Sequence, residues 1–484
     1  MRTLTLQPVL YVLGLLIAVL GIAMAIPGIV DLVAGDVDWT GFFIGSGLTF
    51  LVGALLVLTN RTDDLSLTLR QAFLLTVAGW VGTAAFSAVP FFFSRLELTY
   101  TDAFFEAISG LTTTGSTVLT GLDTAPPGVL VWRSLLQWLG GIGIIVMAIV
   151  LLPFLRVGGM QLFRMESSDR SEKVVAKIGH LGLLIFLTYV TLTVICGGLY
   201  ALAGMTAFEA VNHALTTVST GGYSTSDASM GHWQSPAVHW VGTVFMMAGA
   251  IPFVLYLKVL RAGARPIVTD SQVAAFVCFL ALVSVFLAGW LVIVDKVPVF
   301  EALTLAAFNV TSVVTTTGYA TADYTLWGAF AVGAFFALTF VGGCTGSTAG
   351  GIKIFRFQVS WRLFSVHLRR LQSPHAVVPR VYNNEPITDD VALSVLLFFF
   401  VYVGTVGTIA LVLGLLGLDW VTAISGAATA VSNVGPGLGA IIGPAGNFTT
   451  LPDAAKWLLS AGMLLGRLEF FTVLVLLSPR FWRG

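Results

Sequence analysis

The chain has 484 residues, 57% of them hydrophobic and only 10% charged, with a formal net charge of zero. Soluble proteins carry roughly 25% charged residues, so this composition excludes a soluble globular domain, and the balanced charge leaves no basic footprint for nucleic acid. Three single cysteines in apolar surroundings, Cys196, Cys278 and Cys344, suit neither a disulfide framework nor a metal cluster and read as small apolar filler.

The chain opens on "MRTLTLQPVLYVLGLLIAVLGIAMA". The apolar run is longer than a signal-peptide core and a second span follows at once, so it reads as an uncleaved first helix. Crossing a bilayer takes about 20 apolar residues. Spans are expected at Pro8–Val30, Gly41–Thr59, Arg70–Phe93, Gly128–Leu155, Ile178–Leu202, Pro236–Leu257, Ser271–Val294, Trp327–Phe340 continuing past a break, Val391–Leu416 and Pro452–Leu477. With the N-terminus placed in the cytoplasm, 19 of the 24 Lys and Arg residues fall on the cytoplasmic side, as the positive-inside rule requires. Ten crossings return the C-terminus, "SPRFWRG", to the same side.

Four shorter apolar pieces lie between spans: "DAFFEAISGLTTTGSTVLTGLD", "TAFEAVNHALTTVSTGGYSTSD", "PVFEALTLAAFNVTSVVTTTGYATAD" and "DWVTAISGAATAVSNVGPGLG". Each reads as a short helix ending in a polar residue, one more residue and a glycine: Thr113-Thr114-Gly115, Ser219-Thr220-Gly221, Thr316-Thr317-Gly318 and Asn433-Val434-Gly435. The glycines recur roughly every 100 residues, a period that decides the fold reading. The unit is span, half-helix, glycine turn, span. Two spans in residues 1–65 precede four units, 66–175, 176–265, 266–385 with a broken second helix, and 386–484. The expected fold is an all-α polytopic membrane protein with four tandem span–pore-loop–span repeats around a pseudo-fourfold pore.

Irregular backbone at membrane depth survives only where it lines a water-filled path or is buried in protein. Half-helices that share an axis point their partially negative C-terminal ends at it, and carbonyls around the glycines can replace the water of a dehydrated cation. One "TTTG" would read as small-residue helix packing; four in register with the spans read as an ion filter. Asp123, Asp227 and Asp323 follow their glycines closely and either ring the outer mouth or are solvated loop charges. Glu106, Glu209 and Glu301 fall near half-helix N-termini, where the dipole favours them. In the last span Arg467 is costly at mid-membrane and is expected to face the interior. Glu469, two residues on, should not face it.

At these motifs the sequence resembles the TrkH-type subunits of the Trk/Ktr/HKT superfamily of potassium transporters, over essentially the whole chain. The two extra N-terminal spans fit the TrkH branch better than KtrB. The fourth repeat departs from the pattern at Val434, where the others have threonine, but keeps its glycine. A second glycine occurs only in places, as at Gly222 and Gly437, so fewer ion sites and weaker K+/Na+ discrimination than in a potassium channel are expected. The resemblance implies passage of K+ and Rb+, with K+ the ion handled and no organic cofactor in this chain. It also assigns the stretch "FVGGCTGSTAGGIKIFR" as an intramembrane gate: Gly342, Gly343, Gly346, Gly350 and Gly351 permit backbone change, Thr345, Ser347 and Thr348 supply polar contacts, and Lys353 is counted with them. Arg467 is implied to project into the pore below the filter. A cytosolic nucleotide-binding ring subunit (TrkA-like) would act on the gate, a homodimer is implied, and the setting is the bacterial inner membrane.

Two basic segments, Arg156–Lys177 and Arg356–Arg380, are candidate surfaces for that subunit or for anionic membrane lipid. "GGIGI" at Gly140–Ile144 lies inside a span and is too short for a dinucleotide fingerprint. No paired carboxylates or His/Glu metal spacing falls within the spans, so an enzyme is not expected. A secondary K+ symporter coupled to H+ or Na+ stays open as the alternative, since such carriers also break helices at mid-membrane; the chief ionisable residue near the glycines is His213.

Overall fold

The computed structural model describes residues 5–62, 67–155, 172–375, 377–383 and 385–483. Among them seven helices are long and apolar enough to cross a membrane, and two further apolar helix pairs are bent by 93° and 112° at a short break, as in a broken span or a re-entrant loop. The chain is an integral membrane protein of all-α class. Its only strands among the described residues are the two-residue pair β1 (Val381–Tyr382) and β2 (Glu385–Pro386).

The N-terminal pair consists of α1 (Gln7–Ala23), continued by α2 (Ala25–Ala34), and α3 (Trp39–Thr59). These helices approach closely because small residues line their seam: a Cβ on Gly53 would collide with the Ala18 backbone, and Ser46 Oγ donates to the Gly21 carbonyl at 2.7 Å. Such packing is how helices associate where lipid removes the hydrophobic drive.

Four units follow. The first is α4 (Leu69–Phe92), half-helix α5 (Tyr100–Leu111) and α6 (Pro127–Leu155). The second is α7 (Glu172–Leu202), half-helix α8 (Ala207–Val218) and the pair α9 (Pro236–Gly249) and α10 (Phe253–Ala262), followed by the short α11 (Arg265–Thr269). The third is α12 (Ser271–Val294), half-helix α13 (Val299–Val314), α14 (Ala329–Leu338) and, after a long break, α15 (Ile354–Gln372). The fourth is α16 (Asp389–Leu415), half-helix α17 (Trp420–Ser432), the turn α18 (Gly439–Ile442), the bent pair α19 (Asp453–Arg467) and α20 (Phe470–Leu474), and the terminal α21 (Pro479–Arg483).

Three half-helices start on a side-chain cap: Thr99 accepts from Asp102 N, Thr206 from Glu209 N, and Asp419 from Thr422 N. The bonds from Thr422 hold the Asp419 carboxyl below its ordinary range. Capping fixes where the first turn begins. In this architecture the half-helices are buried along most of their length while the long spans keep apolar faces outward.

Two expected continuous spans are broken. At Pro236–Leu257 the helix stops after Gly249 because Pro252 lacks the N–H that would continue it, and the chain turns by 93°. At Pro452–Leu477 it stops at Leu468, Glu469 takes a positive φ of 61°, and the chain turns by 112°. Hydropathy runs unbroken across the first point, whereas the second is bracketed by Arg467 and Glu469, charges that mark the place but not the turn.

Candidate ion pathway

The four loops after the half-helices share one backbone. Thr113, Thr220, Thr316 and Asn433 are left-handed, with φ of 51°, 52°, 56° and 57°. The next residues, Thr114, Gly221, Thr317 and Val434, donate their N–H to carbonyls of Ser109, Thr216, Ser312 and Thr429, at 2.8, 2.8, 2.8 and 3.1 Å. The third residues, Gly115, Gly222, Gly318 and Gly435, are again left-handed, with φ of 87°, 82°, 82° and 106°. The second repeat is therefore Thr220-Gly221-Gly222, one residue later than the expected Ser219-Thr220-Gly221. Ser219 is still in the last turn of its half-helix, its Oγ bonded to Leu215 O at 2.7 Å.

The four loops form a closed ring. A Cβ on Gly115 would strike the Gly221 carbonyl oxygen, one on Gly222 the Thr317 oxygen, one on Gly318 the Val434 oxygen, and one on Gly435 would come within 2.8 Å of the Thr114 oxygen. Each glycine thus abuts a carbonyl of the next repeat, and the fourth returns to the first. Both the left-handed backbone and the close approach require glycine.

Side chains brace this ring. Thr112 and Thr114 hydroxyls bond at 2.7 Å, Thr315 and Thr317 at 2.8 Å, and Asn433 Nδ2 donates to Thr114 Oγ1 at 2.9 Å. Ser116 Oγ donates to Gly435 O at 2.8 Å across the boundary between repeats. Glu106 is not at a half-helix N-terminus as expected; it lies midway along α5, fully buried. Its carboxylate accepts from Val118 N at 2.9 Å, Thr117 Oγ1 at 3.0 Å and Arg133 Nε at 2.8 Å. Arg133, 1% exposed, also donates to Ser224 O at 2.9 Å and stacks 4.0 Å over the Tyr223 ring. Of the other two glutamates, Glu209 forms the capping box of α8, and Glu301 sits exposed in the first turn of α13. His213 is bonded at both ring nitrogens, to Glu209 O and Ser224 Oγ, bracing loop to half-helix.

Above the ring a vestibule of about 290 Å³ is lined by Gly115, Gly222, Gly318 and Pro436 with Tyr223, Arg133 and Asp227. The three loop aspartates do not share it. Asp227 lines it and accepts from Gly121 N and Leu122 N at 2.8 and 3.2 Å, tying the second repeat to the first. Asp123 is beside it, accepting from Asp227 N at 3.4 Å. Asp323 instead accepts from Thr325 N at 3.0 Å and caps the turn that follows its own loop.

Below the ring lies the glycine-rich stretch between α14 and α15. Its ends are pinned together: Gly342 N donates to Ile352 O at 2.8 Å, and Ile352 N to Phe340 O at 3.1 Å. Its tip reaches the left-handed residues of three repeats. Thr220 Oγ1 donates to Thr348 Oγ1 at 3.1 Å, Gly350 N donates to Thr316 Oγ1 at 2.6 Å, and a Cβ on Gly350 would lie 3.1 Å from that of Asn433. The broken end of α9 holds the same tip, with Thr348 N and Oγ1 donating to Gly249 O at 3.2 and 2.9 Å and Cys344 N to Ala250 O at 3.0 Å.

The other polar residues of the stretch act locally. Gly343 packs on Ala250, Gly346 O accepts from Phe253 N at 3.0 Å, and Ser347 Oγ donates to Cys344 O at 2.6 Å. Thr345 N is taken by Gln272 Oε1 at 3.0 Å, Gly351 packs against Gly342, and Lys353 Nζ bonds Ala349 O.

Arg467, 4% exposed, donates from Nη1 to Thr348 O at 2.8 Å, so it meets the loop itself. Its Nε and Nη2, and Thr113 Oγ1, are buried with no hydrogen-bond partner among the described residues. Glu469 faces Arg356, at 2.7 and 2.8 Å, and Arg356 lies 3.6 Å over the Phe398 ring. Arg356 is therefore buried and offers no docking surface, whereas Arg362, Arg369 and Arg370 are exposed. Residues 156–171 of the other basic segment lie outside the described residues.

Sequence reasoning missed Arg133, Gln137, Tyr223 and the Arg356–Glu469 pair. Arg133, Gln137 and Glu469 were visible as polar or charged residues inside otherwise apolar spans, whereas Tyr223 in its loop and Arg356 in the basic α15 carried no such signal.

Comparison with known proteins gives a consistent picture. A family model described as TrkH, cation transport protein, matches residues 40–483. The Trk system potassium uptake protein TrkI of Halomonas elongata is 52% identical over 414 residues, 85% of this chain and 84% of that protein. TrkH of Escherichia coli K12, also named a Trk system potassium uptake protein, is 37% identical over 438 residues, 89% of this chain and 90% of that one. The crystal structure of the potassium transporter TrkH from Vibrio parahaemolyticus superposes with a TM-score of 0.91 at 32% identity, covering 99% of this chain and all of that one.

Proposed function

We propose that this chain, which belongs to the TrkH family of cation transport proteins, is the membrane pore subunit of a potassium uptake system. The observation that carries the reading is the closed cycle of four loops, each glycine abutting the carbonyl of the next repeat. Relatives named for potassium uptake support K+ as the cargo.

A K+ ion enters the vestibule beside Asp227 and exchanges water for the carbonyl oxygens of Thr114, Gly221, Thr317 and Val434. The C-terminal ends of four half-helices add negative potential there. The ion then passes Thr113, Thr220, Thr316 and Asn433 and meets the loop from Phe340 to Lys353. The loop closes the path in this conformation, and Arg467 adds a positive charge beside its tip. Withdrawal of the tip opens the pore; its glycines absorb the backbone change. The exposed basic face of α15 suits a cytosolic nucleotide-binding ring subunit, the complex forms around a homodimer, and the termini face the cytoplasm of the bacterial inner membrane.

The test is uptake of K+ and Rb+ by purified protein in liposomes, with expression in cells lacking their own K+ uptake. Flux of K+ and Rb+ down their own gradients supports the pore; absence of both overturns it. Flux that requires an imposed H+ or Na+ gradient would instead establish the coupled symporter.

A further inference from the structure

The four filter carbonyls are not equivalent. Thr114, Thr317 and Val434 each carry their own side chain behind the carbonyl, but the second repeat has Gly221 at that position. The vacant space is filled from another repeat. Gln137 of α6, fully buried, packs where a Gly221 side chain would go: a Cβ there would lie 2.9 Å from Gln137 Cβ and overlap its Cδ. Its amide makes two bonds, Nε2 donating to Gly221 O at 2.6 Å and Oε1 accepting from Tyr223 N at 3.0 Å. Donor and acceptor each match, so the orientation of the amide is fixed. Among the described residues no donor reaches the carbonyls of Thr114, Thr317 or Val434. The ring therefore has three free oxygens and one that already accepts a hydrogen bond.

We propose that Gln137 is a positioning residue for ion selectivity, holding the Gly221 carbonyl in the ring and weakening its pull on the ion. This rests on the potassium-pore reading. A carbonyl oxygen has two lone pairs, and one committed to an amide leaves less negative potential for the cation. The smaller Na+ depends more on strong oxygen fields than K+ does. Removing the donor frees the oxygen, strengthens the ring's field and moves preference towards Na+.

The experiment compares K+, Rb+ and Na+ permeation of the full-length protein in liposomes for the parent, for Gln137→Leu, and for Gln137→Ala combined with Gly221→Thr. The double variant gives the second repeat the side chain found in the first and third, without the amide. Both variants are expected to lower the K+/Na+ ratio by about fivefold, the order a single neutral hydrogen bond carries. A monodisperse variant with the parental ratio overturns the proposal, as does failure of both variants to assemble, which would make Gln137 structural only. A parent that passes no K+ would refute the pore reading instead, a result distinct from an unchanged ratio.

Discussion

Breaking the Glu106–Arg133 pair tests how the first filter loop is held. Glu106→Gln leaves side-chain volume almost unchanged but removes the charge opposite a guanidinium that is 1% exposed. Loss of one partner of a buried pair costs about 3–5 kcal/mol, because the other charge stays buried and uncompensated. Here Arg133 keeps Ser224 O at 2.9 Å, Thr117 Oγ1 at 3.2 Å and the Tyr223 ring, which places the cost near the lower end, about 3 kcal/mol. For a chain of this size that is a fall in Tm of about 3 °C. Replacing both partners, Glu106→Leu with Arg133→Met, removes the uncompensated charge and should cost less than the single change. Thermal unfolding in detergent, followed by intrinsic fluorescence, reads all three proteins. A single variant within about 1 °C of the parent, or a double variant less stable than the single, would refute the argument.

Four other outcomes are expected. Gly222→Ala should abolish K+ flux, since it imposes a left-handed alanine costing about 1–2 kcal/mol and drives a methyl into the Thr317 carbonyl; retained flux in liposomes would show the second-repeat register to be wrong. Arg467→Ala should raise basal flux several-fold by removing the bond to Thr348 O and the local charge, and lower flux with intact folding would count against a barrier role. Deleting Gly346 to Gly350 should leave a permanently conductive pore in single-channel recordings; a closed one places the gate elsewhere. Asp227→Asn should slow uptake at low external K+ and low ionic strength, whereas Asp323→Asn, outside the vestibule, should not.

The fourfold plan was legible because three half-helices carry a side-chain start signal, at Thr99, Thr206 and Asp419, and all four are followed by a glycine that no lipid-facing helix needs. The register of the second repeat was not. "STGG" offers two glycines, and only the left-handed angle at Thr220 and the approach of Gly222 to the Thr317 carbonyl decide between them. The break at Pro252 was hidden in an apolar run, and the one at Glu469 carried two charges, Arg467 and Glu469, that signalled a polar site but not a turn, because hydropathy reports burial rather than direction. The place of Glu106 was misread for a related reason: distance along the chain from a helix start says nothing about a partner, Arg133, contributed by the next span. Asp323 resembles Asp123 and Asp227 in sequence, yet a turn two residues on captures its carboxylate.

The arrangement of breaks explains how the glycine-rich loop is held. The second spans of repeats two, three and four are all interrupted, while α6 of repeat one runs from Pro127 to Leu155 without a break and gives Gln137 to the filter. Each break leaves unpaired backbone groups at membrane depth, and those must find partners. The carbonyls of Gly249 and Ala250 find theirs in Thr348 and Cys344, Phe253 N finds Gly346 O, and Arg467, the last residue of α19 before its own break, bonds Thr348 O. The loop beneath the four-loop ring is therefore the cap for its neighbours' broken ends. Each such bond contributes about 0.5–1.5 kcal/mol net, so releasing the set together costs on the order of 5 kcal/mol. On the proposed gating, a shift of that size needs a ligand that prefers the open state by about 10⁴-fold. α15 leaves the loop directly, and its Arg356 pairs with Glu469 beside the break before α20, so one helix ties the loop to the broken end of the fourth repeat.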